Sequence, residues 1–151
     1  MKELQQAFAR NFAEIFEGGK AHLVLKKSSV ETHIKLPGKK ERDFMLLSSG
    51  EKALCSLCFV LALLETAGLP FALLDEADAN LDHFNAQKIA RLLQSFAQQK
   101  QLIVVTHQEE VMEAAQRIIG VTMENGISKA IYLKDIDSEA HINHTNTLGE
   151  E

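Results

Sequence analysis

Two short apolar runs, each followed by polar side chains, constrain this sequence most. The run Phe71–Leu74 is followed by two carboxylates, and the run Leu102–Val105 is followed by a threonine and a histidine. Continuous apolar runs of this length are typical of parallel strands that are buried on both faces. Because a helical pattern lies between them, we predict an α/β fold with a mainly parallel sheet core. Ligands bind at the carboxyl ends of such strands, so these polar residues are the first candidates for a functional site.

The rest of the sequence predicts flanking helices and peripheral hairpins. Apolar periodicity predicts four helices, over 3–16, 51–66, 82–98 and 108–116. The second of these is apolar almost all round, so we expect it to be buried on most sides. Alternating patterns predict two hairpins, one with strands 21–26 and 30–36, the other with strands 118–124 and 127–133. Asn125-Gly126 is the type I′ turn signal of the second hairpin.

Length and composition indicate one domain. The 151 residues are 46% hydrophobic, which suffices for a single core over 1–134, and residues 135–151 form a polar tail. No run reaches the roughly 18 to 20 apolar residues that span a bilayer, so no membrane association is expected. The two cysteines, Cys55 and Cys58, lie on the apolar helix and are expected to pack in the core. A redox or zinc role for this C-x-x-C is the alternative, and a reducing cytosol is the expected location.

The charge distribution leaves room for a local basic patch. The net charge of −5 argues against a wholesale nucleic-acid binder, but six basic residues fall between Lys26 and Arg42. Lys39 and Lys40 are the candidate DNA contacts in this stretch, and a solvated hairpin is the alternative interpretation. The exposed histidines are expected to be ordinary surface residues, since none has a ligand partner at metal-binding spacing: His22, His33 and His83.

The carboxylates after the first run suggest paired chemistry. Strand alternation turns Asp75 and Glu76 to different sides, so one can hold Mg²⁺ and the other can orient or deprotonate a water molecule. Acids at a strand end are often only solvated turn residues. Here Asp78 and Asp82 follow within eight residues of sequence, which favours a functional interpretation.

A second constellation precedes the apolar helix. Ser48 and Glu51 have the S-x-x-E spacing of a capping box that opens the helix. A helix N-terminus with a serine hydroxyl and free N–H groups on Ser49 and Gly50 is also a phosphate-binding site. Gly50 would let the backbone approach a ligand closely.

These segments together resemble a known family. Leu-Ser-Ser-Gly-Glu-Lys-Ala-Leu over 47–54 resembles the signature motif of ABC-type ATPases in its chromosome-associated form, with Ser49 where the family usually has glycine. Three further segments resemble motifs of the same ATPases: 71–76 the Walker B segment, 79–82 the D-loop and 103–107 the switch-histidine strand. The blocks 112–117 and 120–129 are similar to the C-terminal half of SMC (structural maintenance of chromosomes) heads. The resemblance covers roughly residues 4–134.

The resemblance implies an ATP molecule sandwiched between two heads. Asp75 would hold Mg²⁺ through water, Glu76 would be the general base or water-orienting residue, and His107 would contact the γ-phosphate. Two further sets would act across the head–head interface: the signature residues Ser48, Ser49, Gly50 and Glu51 at the ATP of the opposite head, and the D-loop residues Ala79, Asn80, Leu81 and Asp82.

One motif of such ATPases is missing from this sequence. It contains no G-x-x-x-x-G-K-[ST] phosphate loop. In SMC proteins this Walker A loop lies in an N-terminal lobe, so the resemblance implies a C-terminal lobe whose helix over 1–16 ends a coiled-coil arm and whose motifs span 47–107. This lobe alone is expected to be inactive.

The partners that the resemblance implies are the N-terminal lobe, a second head, a kleisin subunit and DNA. The implied function is ATP-driven chromosome condensation or segregation at the nucleoid.

Three alternatives remain open on the sequence. A RecN-like or SbcC-like repair ATPase is disfavoured by the block over 120–129. An ABC transporter subunit is disfavoured because Glu51-Lys52 replaces the transporter-like glutamine. The third alternative is an interaction module that never hydrolyses ATP.

Overall fold

The computed structural model describes residues 2–27, 29–79 and 81–133. Within these residues there are four α-helices, seven strands and a 3₁₀ turn over Phe44–Leu46. The helices are α1 (Lys2–Ile15), α2 (Ser49–Thr66), α3 (His83–Ala97) and α4 (Glu109–Glu113). The strands are β1 (Lys20–Leu25), β2 (Val30–Lys35), β3 (Arg42–Asp43), β4 (Phe71–Asp75), β5 (Gln101–Val105), β6 (Ile118–Glu124) and β7 (Ile127–Leu133). Asn80 and the predicted tail over 135–151 lie outside the described residues.

The seven strands form three sheets. Strands β1, β2 and β3 pair antiparallel, β4 and β5 pair parallel, and β6 and β7 pair antiparallel. The sheet content of the described residues is therefore mixed: the parallel pair that the two apolar runs predict is present, and the other five strands form antiparallel sheets. Parallel pairing needs a crossover connection, and a helix supplies one only between β4 and β5.

The core is centred on the contact between α1 and α2. Phe8 packs edge-on against Phe59 with ring centroids 5.7 Å apart, and Phe12 stacks on Phe16 at 4.3 Å. Gly19, just beyond the helix, lies so close that a Cβ there would meet Phe12 at 2.9 Å. The apolar stripe of α1 is thus covered by α2 and by the chain that leaves the helix, as its periodicity predicts.

One face of the parallel pair is open, which corrects the prediction that these strands are buried on both faces. Residues 72 and 74 are buried against the helices, but Phe71, Leu73, Ile103 and Val105 on the other face are 46% to 61% exposed. Each strand therefore alternates between covered and uncovered side chains. The two apolar runs are strands, as predicted, but the described residues cover only one side of the sheet.

The turn between β6 and β7 and the burial of the two cysteines agree with the predictions from the sequence. Asn125 and Gly126 both have positive φ, at 54° and 79°, as a type I′ turn between β6 and β7 requires. Cys55 and Cys58 are buried free thiols, and burial raises the pKa of Cys55 to about 12 and also raises that of Cys58. At neutral pH both are protonated, so the C-x-x-C acts as core packing.

Within residues 2–27, 29–79 and 81–133, no helix has the length and apolar character needed to cross a bilayer.

Candidate functional site

The carboxyl edge of the parallel pair brings together the polar residues that end its two strands. The register places Asp75 opposite Val105, and the Glu76 backbone N–H donates a 2.9 Å hydrogen bond to the Val105 carbonyl. His107 Nε2 consequently lies 3.2 Å from Glu76 Oε1, and both side chains are exposed. The two strand ends thus lie side by side at one edge of the sheet, as parallel pairing predicts.

Glu76 has an unusual backbone conformation. Its φ of 47° lies in the left-handed region, which costs a residue with a side chain on the order of 1 kcal/mol. Residues held in this way cluster at functional sites. The kink ends β4 and turns the Glu76 carboxylate toward His107.

Asp75 has a different environment from its neighbour. It is the last residue of β4, and alternation places it on the same face as Phe71 and Leu73, at the edge of the open apolar surface. Its carboxylate is exposed and forms no ion pair with any described residue. Two adjacent acids therefore face different surroundings, as predicted.

Beneath the edge lies a buried polar cluster that the sequence analysis did not identify. Asp78 is only 2% exposed, and its Oδ2 accepts a hydrogen bond from the Thr106 hydroxyl. The Gln108 backbone N–H donates to Thr106 Oγ1 at 2.9 Å, and its side-chain amide donates to the carbonyls of Asp78 (3.4 Å) and Leu81 (3.2 Å). The segment after β4 is therefore tied to the segment after β5. The sequence feature that could have indicated this cluster is Asp78 itself, one of four acids among the eight residues from 75 to 82.

The D-loop candidates are held by this cluster and by the start of α3. Leu81 is buried, and its N–H donates to the Asp78 carbonyl at 3.1 Å, while Ala79 is exposed. Asp82 is the N-cap of α3, since its carboxylate accepts 2.9 Å hydrogen bonds from both the backbone and the side-chain amide of Asn85. Leu81 and Asp82 thus have defined positions at the start of α3.

The signature segment forms the predicted capping box. Ser48 Oγ accepts from the Glu51 N–H at 3.3 Å, and Glu51 Oε2 accepts from the Ser48 N–H at 2.9 Å. Glu51 Oε1 also pairs with Lys39 Nζ at 3.0 Å. Ser49 is the first residue of α2 and is exposed, and its φ is not positive, so a glycine is not required there.

The pKa of Glu51 is lowered from its usual 4.5. The main cause is the hydrogen bond from the Ser48 backbone N–H, to which Lys39 adds, against an opposing effect of partial burial. Because the folded-state pKa is depressed, the stabilisation from Glu51 is present above about pH 4.5 and is lost as pH falls through the lowered value.

Gly50 of the signature segment lies next to Asn85, which is hydrogen-bonded to the D-loop residue Asp82. A Cβ at Gly50 would lie 3.2 Å from Asn85 Nδ2, the same amide that donates to Asp82. The N-termini of α2 and α3 therefore lie side by side. In the part of the chain that the structure describes, no hydrogen bond or ion pair joins this pair of N-termini to Glu76 or His107.

The two candidate DNA contacts differ. Lys39 forms an ion pair with Glu51 of the capping box. Lys40 is exposed and forms no ion pair with the described residues.

Replacing the capping serine tests the box. Ser48→Ala removes the acceptor for the Glu51 N–H and is expected to lower the free energy of unfolding by about 1 kcal/mol in urea titrations. Ser56→Ala, at an exposed serine in the middle of the same helix, is the matched control and should have little effect. Equal unfolding midpoints for the two variants would contradict the box.

Replacing Thr106 tests the buried cluster. Thr106→Val keeps the shape but leaves both Asp78 carboxylate oxygens without a donor among the described residues, which is expected to cost about 1 to 3 kcal/mol of unfolding free energy. Thr122→Val, at an exposed position of β6, should be close to neutral. A loss no larger than that of the control would show that the cluster does not hold the two segments together.

Comparison with known proteins identifies the family. The family model described as "RecF/RecN/SMC N terminal domain" matches residues 6–129. The chromosome partition protein Smc of Clostridium kluyveri is 39% identical over 138 residues, which are 87% of this chain and 12% of that protein. Its counterpart in Pyrococcus furiosus is 38% identical over 138 residues, 85% of this chain and 12% of that protein. This chain thus spans about 12% of the length of these curated relatives.

Solved SMC heads share the fold. The SMC head domain from Thermotoga maritima matches with a TM-score of 0.78 and 38% identity, over 89% of this chain and 48% of that one. A chain from a structure of "ATP-driven dimerization and DNA stimulated activation of SMC ATPases" matches with a TM-score of 0.83 and 35% identity, over 88% and 84%. A Smc head bound to the C-winged helix domain of ScpA matches with a TM-score of 0.80 and 34% identity, over 91% and 44%. The chain therefore belongs to the RecF/RecN/SMC family and has an SMC head-like α/β fold.

Proposed function

We propose that this chain is the C-terminal lobe of an SMC-type ATPase head and supplies one part of a site that hydrolyses ATP. The observation that carries the proposal is the contact between Glu76 and His107 at the carboxyl edge of the parallel strands, with Asp75 beside it. The order of the motifs supports the lobe assignment, since the signature segment, the paired acids and the switch histidine follow one another without a phosphate loop in the printed sequence.

The chemistry at this edge is phosphoryl transfer to water. The water oxygen forms a bond to the γ-phosphorus, the bond from that phosphorus to the bridging oxygen of ADP breaks, and ADP and phosphate leave. Glu76 orients the water and accepts its proton, and His107 donates to a γ-phosphate oxygen. The 3.2 Å contact between the two side chains supports these roles, since both groups could reach one phosphate.

Asp75 is the residue that would hold Mg²⁺. Its exposed carboxylate fits an ion that is bound in proteins through one or two carboxylates, several waters and substrate phosphates. When bound, the ion neutralises the charge that develops on the phosphate oxygens. Asp75 lies at the rim of the open sheet face, so the rest of the phosphate-binding machinery would reach it from that side.

The open face of the parallel pair supports an N-terminal lobe as the partner. Phe71, Leu73, Ile103 and Val105 form a contiguous apolar surface that ends at Asp75. Monomeric soluble proteins rarely leave large apolar patches uncovered. A lobe that carries the Walker A loop would cover these side chains and bring its phosphate-binding backbone to the carboxyl edge.

The signature segment would act on the ATP of a second head. The N-terminus of α2 offers the Ser48 hydroxyl and the free N–H groups of Ser49 and Gly50 to a phosphate. It has no bond to Glu76 or His107 among the described residues, so the two groups can belong to different nucleotides. Asp82 accepts a hydrogen bond from Asn85 Nδ2, which lies next to Gly50 of α2. The D-loop residues Ala79, Asn80, Leu81 and Asp82 would cross the same interface.

The wider role follows from this split site. ATP would join two heads, and its hydrolysis would release them, which is the step that drives chromosome condensation or segregation. Smc relatives are named as chromosome partition proteins, and solved Smc heads bind the C-winged helix domain of ScpA. We therefore include a kleisin subunit and DNA among the partners, with Lys40 as the remaining candidate for a DNA contact and α1 as the end of a coiled-coil arm.

Replacement of Glu76 tests the catalytic assignment. In a head reassembled from this chain and a lobe carrying the phosphate loop, Glu76→Gln is expected to lower kcat by at least about 100-fold. ATP binding and head engagement are expected to persist, because the amide can still occupy the same place. Turnover is measured by phosphate release and engagement by sedimentation with ATP.

The matched control is Glu113→Gln, which removes the same charge from an exposed position of α4. It should turn over ATP at the unaltered rate. A Glu76→Gln head that turns over at the same rate as this control would contradict the role given to Glu76.

A further inference from the structure

We propose that His22, His33 and Glu41 form a binding site for a divalent transition-metal ion, best represented by Zn²⁺, on the outer face of the β1–β2 hairpin. The sequence analysis treated the two histidines as isolated surface residues because eleven positions separate them. The structure corrects this interpretation, because the antiparallel register places His22 directly opposite His33. The proposal is independent of the function proposed above.

The three side chains converge on one point. The imidazole rings are stacked with centroids 5.1 Å apart and planes 9° apart. Glu41 Oε1 lies 3.0 Å from His33 Nδ1, and one donor atom from each residue lies within 4.8 Å of the other two. Donor atoms around a tetrahedral zinc ion are about 3.4 Å apart, given metal–ligand distances of about 2.0 to 2.1 Å. The exposed side chains need only small rotations to close this difference.

The second nitrogen of His33 has a partner of its own. His33 Nε2 lies 3.9 Å from Glu31 Oε2, and the other oxygen of Glu31 pairs with Lys26. Metal-binding histidines commonly direct their second ring nitrogen at a carboxylate, which fixes the ring and raises the basicity of the bound nitrogen. Because Nε2 of His33 faces Glu31, the other ring nitrogen, Nδ1, is left for the metal. Nδ1 is also the nitrogen that lies next to Glu41 Oε1.

The donor set selects the class of metal. Two imidazole nitrogens and one carboxylate oxygen suit Zn²⁺ and related transition metals, whereas Mg²⁺ and Ca²⁺ prefer oxygen ligands throughout. Three protein ligands leave a fourth position for water or for a group from a partner.

A bound ion would also join two parts of the lobe. Glu41 lies in the segment between β2 and β3, only two residues after Lys39, whose ammonium pairs with Glu51 of the capping box. Metal binding would fix this segment to the hairpin and thereby restrain the base of the signature segment.

Calorimetric titration of the 151-residue chain with zinc chloride tests the proposal. We expect one zinc ion per chain at this site, undisturbed by excess Mg²⁺. His22→Gln and His33→Gln should each weaken zinc binding at least tenfold, and Glu31→Gln should weaken it by about tenfold through the outer carboxylate. Circular dichroism without metal verifies that these exposed substitutions leave the fold intact.

His83→Gln is the matched control, because it removes an exposed histidine from a different element, α3. Zinc affinity in this variant should equal that of the unaltered chain. The proposal is overturned if zinc does not bind, or if His22→Gln and His33→Gln retain full affinity, since any zinc bound would then be held by other residues. A thermal shift by zinc that survives in both hairpin variants would have the same meaning.

Discussion

The parallel register of β4 with β5 is the constraint on which the rest of this lobe depends. Pairing of Asp75 with Val105 ends both strands at one level, so the residue after each strand emerges at the same edge. The Glu76 N–H extends the ladder by one hydrogen bond to Val105, and the left-handed kink at Glu76 then turns its carboxylate toward His107. A slip of one residue in this register would move the side chains of one strand to the opposite face and would separate Glu76 from His107. The contact between Glu76 and His107, on which the catalytic proposal rests, is therefore a consequence of strand pairing.

Among the described residues, the signature segment has no hydrogen bond or ion pair to this edge. The capping box at Ser48 fixes the N-terminus of α2, and Asn85 joins that terminus to the N-cap of α3. Meanwhile the buried Asp78 ties the start of the D-loop to the segment after β5. Hydrogen bonds thus position each segment, while the open sheet face and the N-terminus of α2 are the surfaces at which the proposed partner lobes would bind.

The sequence predicted what is decided locally. The Ser48–Glu51 box, the Asn125-Gly126 turn and the polar ends of the two strands depend on a few neighbouring residues, and the structure confirms them. It could not predict contacts that depend on register or on a partner. His22 and His33 meet only because β1 and β2 pair in one register. Lys39 meets Glu51, twelve positions further along the chain, only in the folded structure. The exposure of Leu73 could not be foreseen either, because an apolar run shows that a surface needs cover without showing which chain covers it.

The central claim is that this chain holds one part of an ATPase site whose remainder lies on a lobe that covers the open sheet face. The most direct measurement is ATP turnover by the purified chain, alone and mixed with a lobe carrying the phosphate loop. The account predicts no turnover by the chain alone, turnover on mixing, and loss of that turnover with Leu73→Asp, which places a charge on the open face. Turnover by the chain alone, or full restoration with Leu73→Asp, would contradict it.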